Sequence, residues 1–379
     1  MLPERIDRIE WGMLEGNRPR SAGCNARLGV LGSRIHMPIV RLTTVDGATG
    51  FGISWAKPAQ CEKLIGASMD SLFDTKTGVL PEGLAFEFPL WDLMGQKAGQ
   101  PVYALACSIA GTESPDALKA PCYDTSLYFD DLHLSTTEES AHMMADEAQQ
   151  GLSRGHRNFK IKVGRGARHL PLLEGTERDI AIIHAIREAA GPAAVLMIDA
   201  NNGYNLNLTK QVLEETADCS LYWIEEAFHE DPVLYRDLRA WLNEKGLGVL
   251  IADGEGEASN NLLAWAREQL IDVIQYDIYG HGFTRWLETG KRLDAWNIRS
   301  APHHYGSHYG NYAVCHLAAA LKNFTFVEWD EATTHGLVAA EYNIEAGYVH
   351  VPNSAGFGLH LDDAIFGRAV TEGGGELKF

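Results

Sequence analysis

Four stretches decide the fold: NFKIKVG (158–164), AVLMIDANN (194–202), LYWIEEA (221–227) and GVLIADGE (248–255). Each is a short apolar run ending in a charged or polar residue, the pattern of a strand buried on both faces. Between them lie segments such as ERDIAIIHAIREAAG (177–191), with apolar residues at helical spacing and a glycine stop. The same grammar continues through APCYDTS (120–126), LLAWAREQL (262–270), DVIQYD (272–277), IRSAPHH (298–304) and FTFVEWDE (324–331). Strands alternating with helices at this pitch predict parallel βαβ units, and eight of them predict a closed α/β (β/α)8 barrel. An open doubly wound sheet ranks below it, because no G-x-G-x-x-G turn follows the first strand.

The flanks read differently. MPIVRLTTVDGATGFGISWA (37–56) carries β-rich runs around Asp46-Gly47 and predicts a hairpin. AFEFPLWDLMGQKAGQPVYALACS (85–108) predicts an apolar-faced helix closed by Gly95 or Gly99, with Pro101 just beyond. These divide the chain into an α+β unit over 1–119, the barrel over 120–333 and a C-terminal segment over 334–379. In that last segment YNIEAGYVHVPN (342–353) is β-type, and GGGELKF (373–379) reads as a loose terminus.

Composition narrows the function. Of 379 residues, 45% are hydrophobic and 22% charged, a globular balance with ample length for two domains. Lys plus Arg number 32 against 51 Asp plus Glu, a formal charge of −19 that disfavours nucleic acid and anionic membrane as partners. A small acidic ligand then requires a metal ion or a local cluster of cations. The six cysteines (Cys24, Cys61, Cys107, Cys122, Cys219, Cys315) form no C-x-x-C pair, which suits reduced, buried thiols in a cytoplasmic enzyme. The opening MLPERIDRIEW is charged from its fourth residue, unlike a signal peptide, and no apolar run is long enough to predict a membrane span.

Side chains at the C-terminal ends of barrel strands converge on one mouth. Those ends carry Lys160 and Lys162, then Asp199, Glu225, Glu255, Asp277, His303 and Glu328. Asp199, Glu225 and Glu255 fall on successive units, and three gathered carboxylates repel unless a divalent cation neutralises them. All-oxygen ligation favours Mg²⁺ over Zn²⁺. A lone strand-end carboxylate is often only a helix cap, so the set carries the reading. On the fifth strand Asp253 and Glu257 compete with Glu255, which is preferred because its longer arm reaches back from the turn. Lys160 and Lys162 alternate by two and share one side of their strand. Two ammonium groups beside a cation would push at least one pKa down and make a lysine base feasible. Asp277 and His303 close the opposite wall, where a carboxylate on one ring nitrogen would fix the tautomer of a second acid/base.

These motifs resemble the mandelate racemase-like branch of the enolase superfamily over nearly the whole chain. FKIKVG is similar to its Lys-x-Lys strand, IDANNGY, WIEEAF and DGE to its three metal-ligand segments, and APHH to its Ala-Pro-His. QYDIYGHG (275–282) resembles its Gln-Pro-Asp segment followed by a Gly pair, and PLWDLMGQKAGQPVYALACS its capping-domain helix. The resemblance implies a modified (β/α)7β barrel under an N-terminal α+β cap completed by C-terminal residues. It also implies Mg²⁺ held by Asp199, Glu225 and Glu255, proton abstraction α to a carboxylate, and an enediolate intermediate, the general scheme described for this superfamily. Lys162 and His303 would flank the substrate on opposite faces, with Asp277 behind His303 and Lys160 near the substrate carboxylate. Glu328 would hydrogen-bond that carboxylate in protonated form, and Asn201 would contact the α-hydroxyl. The family also implies a symmetric homo-oligomer.

Tyr276 before Asp277, and His281-Gly282-Phe283 where a Gly pair is common, depart from the pattern, as does VPNSAGFGLHLDD (351–363). His304 and His308 have no family role; their spacing suggests zinc, but Gly306 and Gly310 argue against a helix there. The expected activity is dehydration of an acid sugar to a 2-keto-3-deoxy acid, with Asn17, Arg18 and Arg20 of the cap reaching the polyhydroxy chain. A racemase or epimerase of a 2-hydroxy acid and an acid-sugar lactone cycloisomerase share every motif. An inactive metal-binding relative is the reading from a different class.

Overall fold

The computed structural model describes residues 4–256 and 258–379. Its barrel has eight parallel strands: Leu118–Leu127, Asn158–Lys162, Val195–Asp199, Trp223–Glu225, Leu250–Asp253, Val273–Ile274, Arg299–Ser300 and Val327–Trp329. Strands one to seven pair in chain order, and the eighth pairs with the first through Val327↔Cys122 and Trp329↔Asp124. A parallel bridge, Ser300↔Phe324, joins the seventh strand to the lead-in of the eighth and closes the ring. Helices follow the first seven strands, but none among the described residues packs as an eighth barrel helix. The chain instead leaves the eighth strand for Thr333–Thr334, which pairs with the N-terminal strand. The fold is therefore the modified (β/α)7β barrel. Its floor is a plug of Tyr123, Met197, Trp223, Ala252, Val273 and Ala301, all buried, so the strand ends above rest on a solid base.

The cap sheet is built from Ile6–Ala22, Gly32–Thr44 and Thr49–Ile53, all antiparallel. Asp46-Gly47 makes the predicted turn, with Gly47 at φ +86° and Thr43 opposite Thr49. Of the two candidate helix stops, Gly99 ends the helix Glu87–Ala98 in the left-handed conformation. Gly95 lies inside that helix, where an added Cβ would come within 2.7 Å of the Gly356 backbone. Asp92 on the same helix accepts hydrogen bonds from Phe51 N (3.0 Å) and Phe357 N (2.9 Å), tying helix, cap sheet and C-terminal segment together.

Two C-terminal expectations need correction. GGGELKF is not loose: Gly375–Lys378 pairs antiparallel with the first cap strand, from Trp11↔Gly375 to Arg8↔Lys378. Cβ atoms at Gly374 and Gly375 would collide with the Trp11 carbonyl and indole, so the glycines let the chain dock. Nor does 334–379 serve the cap alone. Asn343–Glu345 and Tyr348–Val351 form a hairpin whose second strand pairs with the first barrel strand, Val351↔Leu118 to Tyr348↔Pro121. No helix among the described residues is long and apolar enough to cross a membrane.

Candidate active site

The third, fourth and fifth barrel strands deliver Asp199, Glu225 and Glu255 to one point, where one oxygen from each lies within 4.8 Å of the others. Asp199 and Glu225 are fully buried. Glu225 accepts from Gln275 Nε2 (2.8 Å) and Trp223 Nε1 (3.1 Å). Burial, reinforced by the Asp199 charge, pushes Glu225 up to about 8. Glu255 Oε1 accepts from Asn201 Nδ2 at 3.1 Å. Its Oε2 lies 3.0 Å from His303 Nε2 without hydrogen-bond alignment, and no other donor among the described residues reaches it. An orphaned buried carboxylate oxygen beside two more carboxylates, with no sulfur or imidazole donor in the set, fits Mg²⁺.

The competing Asp253 points away. Its Oδ2 accepts from Tyr235 Oη (2.5 Å) and its Oδ1 from Gly254 N (2.7 Å), which commits it to the helical layer. Glu257 lies outside the described residues.

Both lysines reach the carboxylates. Lys160 Nζ is 2.8 Å from Glu225 Oε1, 2.9 Å from Glu328 Oε1 and 3.5 Å from Asp199 Oδ2; Lys162 Nζ donates to Asp199 Oδ2. Burial and charge act oppositely on their pKa values. Burial alone would lower both, but Glu225 and Glu328 around Lys160, and Asp199 beside Lys162, outweigh it and raise them. The ammonium groups are counter-ions to the carboxylates around them.

On the far wall His303 Nδ1 meets Asp277 Oδ2 at 3.0 Å. Asp277 Oδ1 is fixed by the backbone N–H groups of Tyr279 and Gly280, at 2.9 and 2.8 Å. That clamp aims Nε2 at the carboxylates. Burial opposes the imidazolium, but the Glu255 and Glu328 charges and the Asp277 hydrogen bond prevail and push His303 up to about 10. Glu328 is not held protonated here. Despite burial, Lys160, His303 and His304 keep it well below the usual carboxylate range. Its Oε1 also accepts from Thr125 Oγ1 (2.7 Å) and its Oε2 from His304 N (2.9 Å).

The cap residues divide. Arg18 is partly buried above Tyr305, its guanidinium 4.6 Å from the ring centroid and 3.1 Å from Asp330 Oδ2. Tyr305 in turn packs on Tyr128, whose ring lies 5.4 Å from Lys162 Nζ. Arg20 instead docks cap to barrel, donating to Glu147 Oε2 (2.8 Å) and Ser126 O (2.6 Å). Asn17 is exposed on the cap sheet.

His304 and His308 are buried and structural: His304 Nε2 meets Glu328 O (2.5 Å), and His308 Nδ1 lies 3.3 Å from Thr334 Oγ1. They form no metal-holding group among the described residues. Gly310 is not a helix breaker. It sits in the first turn of Tyr309–Leu317, where its missing side chain leaves room for the His304 ring.

Sequence reasoning missed Glu226. It is buried, takes φ +42°, and accepts from Asn201 Nδ2 (3.0 Å) and Asn202 Nδ2 (3.2 Å). A left-handed conformation at a non-glycine strand end is strain of the kind stored at functional sites. The only signal was the doubled acid in WIEEAF.

A barrel with this carboxylate cluster at its mouth defines a class. Residues 143–365 match the enolase C-terminal domain-like family, and the chain belongs to it. Two solved structures from Geobacillus sp. follow the chain nearly end to end. Galacturonate dehydratase, complexed with D-galacturonate and 5-keto-4-deoxy-D-galacturonate, is 50% identical with a TM-score of 0.94, covering 99% of each chain. A mandelate racemase/muconate lactonizing protein complexed with magnesium and tartrate is 50% identical with a TM-score of 0.97, covering 100% of this chain and 98% of its own. Arabinonate dehydratase from Saccharolobus solfataricus is 24% identical over 354 residues, 86% of this chain and 88% of that protein.

Proposed function

We propose that this chain is a Mg²⁺-dependent acid-sugar dehydratase whose substrate is a uronate, with D-galacturonate the first compound to test. The observation that carries the reading is the three-carboxylate cluster, set between Lys162 on the second strand and the Asp277–His303 pair on the sixth and seventh. The 50% identity to galacturonate dehydratase supports the substrate class.

Mg²⁺ held by Asp199, Glu225 and Glu255 would supply Lewis-acid stabilisation of the charge that develops on the substrate carboxylate. Lys160, buried and cationic, adds a fixed positive charge on the same side. Lys162, once released from Asp199, or neutral His303 takes the proton from the α-carbon. His303 suits the acid role as well, since its environment favours the imidazolium. It gives its proton to the β-hydroxyl, whose C–O bond breaks to release water. The enol left behind tautomerises to a ketone beside the carboxylate. In D-galacturonate the α-carbon is C5 and the departing hydroxyl is on C4, so the product is 5-keto-4-deoxy-D-galacturonate. Counted from the carboxylate, this is the same connectivity as a 2-keto-3-deoxy acid. Asn201 Oδ1, buried and without a hydrogen-bond donor, is the acceptor offered to a substrate hydroxyl. A symmetric homo-oligomer and a cytoplasmic location belong to the same reading.

The test is incubation of the Mg²⁺-loaded protein with mono- and diacid sugars in D₂O, followed by ¹H NMR and semicarbazide. Dehydration predicts a keto product from D-galacturonate. Deuterium at the α-carbon with no keto product would replace dehydration by epimerisation.

A further inference from the structure

A second group of potential ligands lies on the outer layer of the barrel. His184 is on the helix Leu172–Ala190, and Asp218 and Cys219 are in the short turn Ala217–Cys219 that precedes the fourth barrel strand. Their donor atoms all lie within 4.8 Å of one another. His184 Nδ1 is 3.2 Å from Cys219 Sγ and 3.8 Å from Asp218 Oδ1. Those separations lie within a few tenths of an ångström of the edges of a zinc tetrahedron, roughly 3.3–3.8 Å for bonds of about 2.0–2.3 Å.

The group is also preorganised. His184 Nε2 lies 3.1 Å from the Glu215 carbonyl oxygen, a contact that places the ring proton on Nε2 and leaves the Nδ1 lone pair facing Cys219. Arg187 anchors the turn, donating through Nε (2.9 Å) and Nη2 (2.6 Å) to the Cys219 carbonyl. It also donates through Nη1 to the carbonyls of Gly191 and Ala194. His184 and Asp218 reach solvent, so water can complete the fourth vertex.

We infer that His184, Asp218 and Cys219 form a binding site for a borderline-soft divalent cation such as Zn²⁺, separate from the carboxylate centre. A thiolate, an imidazole and a carboxylate make a donor set that selects Zn²⁺ over Mg²⁺, and two negative charges neutralise the ion. Coordination converts the Cys219 thiol to a thiolate and releases its proton to solvent. A comparable buried cluster, Asp124, His156 and Glu331, is not such a site. Arg154 already supplies the cation there, 3.1 Å from Asp124 and 3.3 Å from Glu331.

The test uses the full chain in excess Mg²⁺, titrated first with Co²⁺ and then with Zn²⁺. Thiolate-to-cobalt charge-transfer absorption is expected for wild type, is abolished in Cys219→Ser, and is displaced by about one Zn²⁺ per chain. The carboxylate centre has no sulfur and cannot produce that band. His184→Gln should weaken Zn²⁺ by more than the ~10–100-fold that loss of an outer hydrogen bond costs. Unchanged thermal unfolding of the metal-free variants separates ligand loss from misfolding, and a variant that unfolds is replaced by Asp218→Asn with the same readout. Absence of the band in folded wild type, or its persistence in Cys219→Ser, would overturn the site.

Discussion

His303→Asn is expected to cut turnover by roughly 10²–10⁴-fold, the usual contribution of a positioned acid/base, while Mg²⁺ binding persists. The asparagine amide can still meet Asp277, which accepts the Nδ1 proton at 3.0 Å in the native protein. It cannot carry a proton to a departing hydroxyl. His303 is not one of the three clustered carboxylates, so calorimetric Mg²⁺ uptake should remain near wild type. Unchanged turnover would remove His303 from the reaction. Loss of Mg²⁺ uptake together with turnover would reassign it to the metal centre.

Glu255→Gln is expected to abolish both Mg²⁺ uptake and turnover while leaving the fold intact. Removing one anionic ligand forfeits several kcal/mol of electrostatic stabilisation, so turnover should fall by at least roughly 10³-fold. This carboxylate is the cleanest of the three to remove. Asp199 anchors Lys162 and Asn201 N, and Glu225 anchors Lys160, Gln275 and Trp223. Glu255 Oε2 has no hydrogen bond among the described residues, and a glutamine keeps the Oε1 contact to Asn201. Thermal unfolding of the metal-free variant should match wild type. Calorimetry that still records one Mg²⁺ per chain would exclude Glu255 as a ligand.

The barrel was legible because its strands are apolar runs that each stop at a polar residue, and Asp199 and Glu225 are conspicuous only because Ile198 and Ile224 precede them. The alternation in NFKIKVG likewise places both lysines on one side of a strand. What escaped depends on partners distant in the chain. Nothing local in GGGELKF announces a strand, because its partner, Arg8–Trp11, lies at the other end of the chain. Arg20 could not be told from a substrate ligand until Glu147 and Ser126 were found beneath it. Composition counts charges but does not say which carboxylates surround each Nζ. The ligands His184 and Cys219 are 35 residues apart, without the close spacing that marks a zinc motif.

On the proposed mechanism the carboxylate cluster, loaded with Mg²⁺, makes a carbon-bound proton labile. The most direct measurement follows loss of the C5 proton and keto-product formation from D-galacturonate in D₂O, using chelator-stripped protein before and after Mg²⁺ is restored. The expected result is neither event in the stripped protein, both on restoration, and neither in Glu255→Gln at the same Mg²⁺ concentration. Undiminished C5-proton loss and product formation by the stripped protein would contradict it.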